Sequence, residues 1–194
     1  MEIQRRILGE EILKLVDDGY ILMNKHPEKD LYILNYSETA QFEQLWNEYT
    51  LMCRGLVVDG DFNVVARPFK KFFNASEHEE GEIPTDLEFE VFEKCDGSLG
   101  ILFNYEGEWM MTTRGSFTSD QAIKGYNMLV NMFDGYLDFL DESKTYLFEI
   151  IYPENRIVVD YKGKEDLVLL GIVNTITGAE MSYEYMTTNY GDKF

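Results

Sequence analysis

Cysteine, histidine and proline are all scarce in this sequence. Its 194 residues include two cysteines, two histidines and four prolines. Cys53 and Cys95 have neither CxxC nor metal-ligand spacing, and His26 and His78 stand alone in polar segments. The sequence therefore supports neither a disulfide framework nor a zinc site.

Long apolar runs are also missing. No stretch approaches the roughly 18 to 20 consecutive apolar residues that a membrane-spanning helix needs. The first six residues, Met-Glu-Ile-Gln-Arg-Arg, lack the apolar stretch of a signal peptide. We therefore expect a cytoplasmic protein with no membrane partner.

Basic residues are few and unevenly placed. The chain has 17 Lys and Arg against 36 Asp and Glu, which gives a formal net charge of −19. Such a charge argues against a protein whose whole surface follows a phosphate backbone, since that mode of binding relies on clustered cations. Several basic residues do concentrate in the middle of the chain: Arg54, Arg67, Lys70, Lys71, Lys94 and Arg114. This distribution favours a local pocket for a small anionic ligand.

The apolar content is sufficient for a real core. Hydrophobic residues make up 45% of the chain and aromatic residues 14%, which most simply predicts one domain over residues 1–194 and no second domain. Apolar residues at helical spacing predict helices over residues 3–16, 38–49 and 121–133. Ser37 is a plausible N-cap of the second helix, and we expect Tyr36 in the loop before it.

The rest of the chain has the pattern of short strands separated by turn residues. Residues 55–58 and 64–69 predict a hairpin around the turn at 59–61. Further strands are predicted over residues 88–93, 100–105, 108–113, 146–151, 156–161 and 167–174. The expected class is α+β, dominated by antiparallel sheet, with helices at the periphery.

The strongest local motif is Glu-Lys-Cys-Asp-Gly-Ser at residues 93–98. Taken alone, an Asp-Gly pair between strands is typical of an ordinary hairpin. Its neighbours along the chain change that interpretation. Cys-Arg-Gly stands at 53–55, Arg-Pro-Phe-Lys-Lys-Phe-Phe-Asn at 67–74 and Arg-Gly-Ser at 114–116. Phe-Glu follows at 148–149, Pro at 153 and Asn-Arg-Ile-Val at 155–158.

This ordered series resembles the superfamily of ligases and capping enzymes in which a K-x-D-G lysine attacks the α-phosphate of a nucleotide. It resembles most specifically the T-even phage RNA ligases that repair cleaved tRNA, over residues 36 to 174. The resemblance implies an antiparallel-sheet-rich nucleotidyltransferase fold of the ATP-grasp-like ligase kind. It also implies ATP and Mg²⁺ as cofactors and RNA, such as nicked or cleaved tRNA, as the partner of the full-length protein.

The same resemblance assigns roles to individual residues. Lys94 is the expected nucleophile, and Gly97 permits a tight turn and a close approach of backbone to phosphate. The expected nucleotide-binding residues are Tyr36, Arg54, Lys71, Phe73, Arg114 and Glu149, of which Glu149 binds the ribose hydroxyls or assists the metal. Two interpretations stay open for Phe73, which is either core or adenosine-lining, and for Glu149, which faces either solvent or the site.

Elementary chemistry agrees with these assignments. A lysine amine must lose its proton before it can act as a nucleophile. Neighbouring cations and desolvation favour the neutral amine, and Arg54, Lys71 and Arg114 supply such cations. The same charges can hold a triphosphate in line for attack.

Two later motifs of the superfamily are not found in these 194 residues. They are an E-G-x-V strand with a metal-binding glutamate and a K-x-K strand whose lysines reach the α-phosphate. We therefore expect a nucleotidyltransferase domain without its last strands. The first interpretation is an ATP-dependent RNA ligase. The alternatives are a truncated nucleotide-binding fragment or pseudoenzyme, and an acidic interaction protein with no nucleotide site.

Overall fold

The structure, a computed structural model, describes residues 2–84, 86–132 and 135–191. Five helices and eight strands are defined within those ranges. The helices are α1 (Glu2–Asp17), α2 (Glu38–Phe42), α3 (Glu48–Met52), α4 (Asp120–Met132) and α5 (Tyr183–Tyr190). The strands are β1 (Ile21–Lys25), β2 (Leu31–Tyr36), β3 (Arg54–Asp59), β4 (Val64–Ala66), β5 (Ser98–Tyr105), β6 (Glu108–Thr112), β7 (Lys144–Ile151) and β8 (Asp166–Asn174).

The strands form two antiparallel sheets of four. The first has the order β1-β2-β3-β4 and the second β6-β5-β7-β8. Mixed α+β architecture with antiparallel sheets is thus confirmed. None of the helices in the described ranges combines the length and the apolar character that crossing a bilayer requires.

Side-chain alternation along the strands explains how these layers stack. On β5, Ile101 and Phe103 face the first sheet, whereas Leu102 faces α4 and α5. On β7, Leu147 faces the first sheet and Phe148 faces the helices. Because successive side chains of a strand point to opposite faces, both central strands are covered on both sides and read as nearly continuous apolar runs.

The first sheet has the same two-sided burial. Ile33 and Val57 pack against the second sheet, while Leu34 and Leu56 pack against Ile12 of α1. All five side chains are at most 1% exposed. Each buried side chain of this size contributes about 1.5–3 kcal/mol, so the packing on both faces of the first sheet stabilises the fold.

The helix predicted over residues 38–49 is wrong in one respect, because the structure has two short helices there. Ser37 does cap α2, its hydroxyl accepting the Ala40 N–H at 3.1 Å. The chain then turns at Gln44, whose φ is 53°, and Asn47 caps α3 by accepting two backbone N–H groups. A left-handed residue and a new cap both interrupt the helical ladder.

Two predicted strands are also wrong. Residues 88–93 have no regular secondary structure and no strand partner among the described residues, and Phe89 and Val91 are more than 80% exposed. Residues 156–161 follow a 3-10 turn at Pro153–Asn155. The N–H groups of Val158 and Val159 donate to a carboxylate rather than to a neighbouring strand.

Smaller differences concern element ends. Tyr36 is the last residue of β2 and does not lie in a loop. The helix predicted over residues 121–133 is α4, one residue earlier, and Phe133 lies outside the described residues. The predicted hairpin of residues 55–58 and 64–69 is β3 and β4, although β4 ends at Ala66.

Candidate functional site

A cavity of about 830 Å³ opens where β3 begins, β6 ends and the Lys94 turn meets β7. Its volume lies within the range of small-ligand pockets, about 300 to 1,000 Å³. The lining includes five of the eight residues that the sequence singled out: Arg54, Lys94, Gly97, Arg114 and Glu149. The fold thus brings one amine, two guanidinium groups and two carboxylates, Glu149 and its neighbour in the lining Glu93, to a single cavity.

The turn that carries Lys94 is held by side chains rather than by hairpin hydrogen bonds. The Asp96 N–H donates to the Tyr161 hydroxyl at 2.8 Å, and the Gly97 N–H donates to Glu149 Oε1 at 2.8 Å. The Ser98 hydroxyl donates to Asn155 Oδ1 at 3.1 Å. Three consecutive residues after Cys95 are therefore fixed against β7 and the segment that follows it.

Gly97 is required by close packing of two backbones. A Cβ at this position would stand 2.4 Å from the carbonyl oxygen of Ile150. Its φ is not in the left-handed region, so space rather than conformational freedom explains the glycine. The close approach that the structure shows is to β7; an approach to phosphate stays a prediction.

Glu149 lies among apolar residues in the second half of β7 and lines the cavity. Burial raises the pKa of its carboxyl, and the Gly97 N–H and the positive charges of Lys94 and Arg54 offset part of that rise. A half-buried carboxylate needs such partners, because an unpaired buried charge is costly. Of the two orientations left open by the sequence, the structure has the one that faces the site.

Arg54 and Arg114 are brought together by an unusual backbone at Gly55. Its φ is +95°, and a Cβ there would lie 3.2 Å from the Cα of Arg114 and 2.8 Å from Ile101 Cδ1. The glycine of the Cys-Arg-Gly motif thus lets β3 approach the loop after β6. Asn35 strengthens this junction, because its side-chain amide donates to the Arg114 carbonyl at 2.8 Å.

Aromatic rings flank both guanidinium groups. Arg54 Cζ lies 4.9 Å from the centre of the Phe72 ring, and Arg114 Cζ lies 5.7 Å from the centre of the Tyr36 ring. Burial lowers the pKa of Arg54, and Arg114 contributes in the same direction, whereas Tyr36 and Glu149 act in the opposite direction. Tyr36 thus contacts the arginine pair but does not line the cavity itself.

Lys71 and Phe73 lie beside this cavity and do not line it. The Lys71 ammonium is 4.2 Å from the centre of the Phe73 ring and 5.5 Å from that of Trp46, and it donates to the Phe72 carbonyl at 2.8 Å. Lys71 lines a separate cavity of about 450 Å³ together with Arg67 and Lys70. Nucleotide contacts by Lys71, Phe73 and Tyr36 stay predictions.

Three neighbours of the site were not predicted from the sequence. Phe72 lines the cavity and is 64% exposed. Asn35 anchors the Arg114 loop, and Trp46 makes edge contacts with both Tyr36 and Phe73 at 5.3 and 5.4 Å between ring centres. The repeated aromatics of the Phe-Phe-Asn motif were a usable signal for Phe72, whereas nothing in the sequence connects Trp46 or Asn35 with the motifs.

These features define an α+β protein in which Lys94, Arg54, Arg114 and Glu149 surround one ligand-sized cavity. Residues 52–193 match a family model described as RNA ligase. The chain belongs to this RNA ligase family.

Individual relatives agree with the family match. The RNA ligase of Rhodothermus phage RM378 is 27% identical over 184 residues, which cover 74% of this chain and 41% of the phage protein. A protein of Autographa californica nuclear polyhedrosis virus, whose name pairs polynucleotide kinase with RNA ligase, is 29% identical over 202 residues. That alignment covers 92% of this chain and 29% of the viral protein.

A solved structure shares the fold. An archaeal ATP-dependent RNA ligase superposes with a TM-score of 0.60 at 16% identity, over 92% of this chain and 47% of the archaeal chain. At that identity the likeness concerns the fold alone. The chain spans less than half the length of each of these relatives.

Proposed function

We propose that this chain is the nucleotide-binding, lysine-adenylylating part of an ATP-dependent RNA ligase, with Lys94 as the nucleophile. The observation that carries the proposal is the shared cavity of Lys94, Arg54, Arg114 and Glu149. It supports a site for a compact anionic ligand on a chain whose net charge is −19. The order of motifs favours ATP over GTP or NAD.

The proposed first step is an in-line displacement at the α-phosphorus of ATP. The neutral Lys94 amine forms an N–P bond, the P–O bond to pyrophosphate breaks, and the amine proton passes to solvent. Arg54 and Arg114 bind the phosphate oxygens and stabilise the charge that develops during transfer. The product is lysyl-AMP.

The next two steps complete ligation. An RNA 5′-phosphate attacks the lysyl-AMP, forms a P–O–P bond and releases Lys94. A 3′-hydroxyl then attacks the 5′-phosphorus, forms the phosphodiester and releases AMP. We propose cleaved tRNA as the RNA, because the motif series is most similar to the tRNA-repairing ligases.

Magnesium fits this site only as an ion shared with the nucleotide. Among the described residues no group of three or more His, Cys, Asp or Glu side chains could hold a metal ion. Glu149 offers one carboxylate, of which Oε1 already accepts the Gly97 N–H. Mg²⁺ is commonly held by one or two carboxylates together with substrate phosphates, and it would supply charge neutralisation there.

A nucleotide-binding fragment or pseudoenzyme is the second candidate. It is favoured by the charges around the cavity, where Arg54, Lys94 and Arg114 are the cationic side chains that the described residues contribute. The Lys-Gly-Lys at residues 162–164 lies in a turn and does not line this cavity, and Lys164 pairs with Asp166 instead. Loss of one preorganised donor at a transition state typically lowers a rate by about 10²- to 10³-fold, so such a chain would bind ATP and transfer AMP slowly.

Intact-mass measurement separates these candidates. After incubation with ATP and Mg²⁺, the parent chain should gain one AMP, and Lys94→Arg should gain none, because arginine is not deprotonated near neutral pH. Lys70→Arg is the matched control and should behave as the parent. ATP binding without a mass increase would favour the pseudoenzyme, and neither binding nor a mass increase would contradict both candidates.

A further inference from the structure

The turn that carries Lys94 and the segment after β7 make reciprocal hydrogen bonds. The Asp96 N–H donates to the Tyr161 hydroxyl at 2.8 Å. In the other direction, the backbone N–H groups of Val158 and Val159 both donate to Asp96 Oδ2 at 2.7 Å. One residue of the turn thus uses its backbone and its side chain to join residues 158–161.

These hydrogen bonds hold in place a segment that has little side-chain packing. Residues 156–165 lie outside any strand, and Val158 and Val159 are 74% and 43% exposed. Burial therefore contributes little to the position of this segment. The two bonds to Asp96 also lower the pKa of its carboxyl, so the carboxylate remains ionised and able to accept them at neutral pH.

These contacts affect the proposed chemistry because Lys94 stands only two residues before Asp96. The Lys94 side chain is exposed, so its position depends on the backbone of the turn. Misplacement of a reacting group by about 1 Å can cost on the order of 10²-fold in rate. The position of the Lys94 backbone depends on what holds Asp96, Gly97 and Ser98. Gly97 and Ser98 are held by Glu149 and Asn155.

We propose that Asp96 and Tyr161 are positioning residues that hold the Lys94 turn in place for attack, so that residues 158–161 act as a strap across its outer side. The role rests on the proposed function, since it concerns the nucleophile of that reaction. Tyr161 does not line the cavity; it lines a separate, smaller cavity together with Asp96. Its hydroxyl acts on Lys94 through the Asp96 backbone alone.

Tyr161→Phe is the most selective test, because it keeps the ring and removes only the hydroxyl. We expect the kcat of lysyl-AMP formation to fall about tenfold, the upper range for one neutral hydrogen bond. The KM for ATP should stay within about twofold, because the arginines that bind phosphate are untouched. Tyr20→Phe is the matched control, since its hydroxyl donates to Glu43 at 2.9 Å away from the cavity.

The Asp96 side chain is tested by rescue. Asp96→Ala removes the acceptor for both valine N–H groups, whereas Asp96→Asn keeps one oxygen. Asp96→Asn should therefore recover part of the kcat that Asp96→Ala loses. The two variants should have similar melting temperatures, so that the difference in kcat does not reflect a difference in stability. Equal rates for the two variants would contradict an accepting role of this side chain.

A second measurement does not depend on catalysis. Cys95 lies inside the turn and is partly exposed, whereas Cys53 is fully buried, so a thiol reagent reports on Cys95 first. Tyr161→Phe should raise the labelling rate of Cys95 several-fold, and Tyr20→Phe should not. If the parent chain forms no lysyl-AMP, the proposed function fails, and the labelling rate still decides whether the strap exists. If the parent is active and Tyr161→Phe has an unchanged kcat, the positioning role is overturned.

Discussion

At the scale of single residues, Gly97 is the position where the smallest change should have a large effect. A methyl group there would meet the Ile150 carbonyl oxygen at 2.4 Å, and that oxygen belongs to the central strand β7. We expect Gly97→Ala to lower the free energy of unfolding by about 1–3 kcal/mol, the usual cost of overpacking. Urea denaturation measures this loss. Gly115→Ala is the control, because its nearest neighbour is 3.5 Å away, and equal stability of the two variants would refute the packing argument.

Glu149 should give a characteristic dependence of stability on pH. Its folded pKa is raised, chiefly by burial, so its contribution to stability is present below the ordinary glutamate pKa and is lost as pH rises through the raised value. Glu149→Gln keeps an oxygen for the Gly97 N–H without the charge. The melting temperature of the variant relative to the parent should therefore be higher at pH 7 than at pH 4.

Glu108→Gln is the opposite control for that experiment. The hydrogen bond from Lys29 lowers the pKa of Glu108, so its contribution is present above the ordinary glutamate pKa and is lost as pH falls through the lowered value. The relative melting temperature of this variant should fall from pH 4 to pH 7. If the relative melting temperatures of both variants changed in the same direction from pH 4 to pH 7, the burial of Glu149 would be contradicted.

The motifs predicted which residue types lie at the cavity, but they did not predict where each side chain points. Lys94, Arg54, Gly97, Arg114 and Glu149 do meet at one cavity. Lys71 does not, because its ammonium packs between two rings, one of which, Trp46, lies in no motif. A motif specifies residue types and spacing, whereas side-chain direction depends on distant residues that the pattern does not contain.

At the scale of elements, the strands of the second sheet were predicted closely. The segments predicted over residues 100–105, 108–113, 146–151 and 167–174 are β5 to β8 within two residues at each end. β1, β2 and α5 were not predicted, although Leu31–Tyr36 is rich in strand-forming residues. Residues 88–93 and 156–161 have strand-like composition without a partner, because pairing is a property of the sheet and not of the segment.

The short helix α3 leads directly into Cys53 and Arg54, so its cap should affect the entry to the cavity. Asn47 Oδ1 accepts the N–H groups of Tyr49 and Thr50 at 3.0 and 2.9 Å. Asn47→Ala should lower the free energy of unfolding by about 1 kcal/mol. Asn47→Asp keeps an accepting oxygen, so its free energy of unfolding should stay close to that of the parent. Denaturant titration compares the variants, and an Asn47→Ala chain as stable as the parent would mean that the cap is dispensable.

At the scale of the whole molecule, a chain with a net charge of −19 collects Arg54, Lys94 and Arg114 at one cavity. We expect ATP binding, measured by calorimetry, to weaken about ten- to a hundredfold in Arg114→Ala, the range for hydrogen bonds to charged groups. Lys71→Ala should have a smaller effect, and Lys70→Ala the smallest. A larger effect of Lys70→Ala, or equal affinity for ATP and GTP, would contradict the assignment of this cavity to ATP.

The most direct measurement is the location of AMP on the chain after reaction with ATP and Mg²⁺. Fragmentation of the modified peptide by mass spectrometry identifies which lysine carries the group. We predict a single AMP on Lys94, because that amine alone among the lysines of the described residues lines the cavity with Arg54, Arg114 and Glu149. AMP on Lys71 or on any other lysine would contradict it.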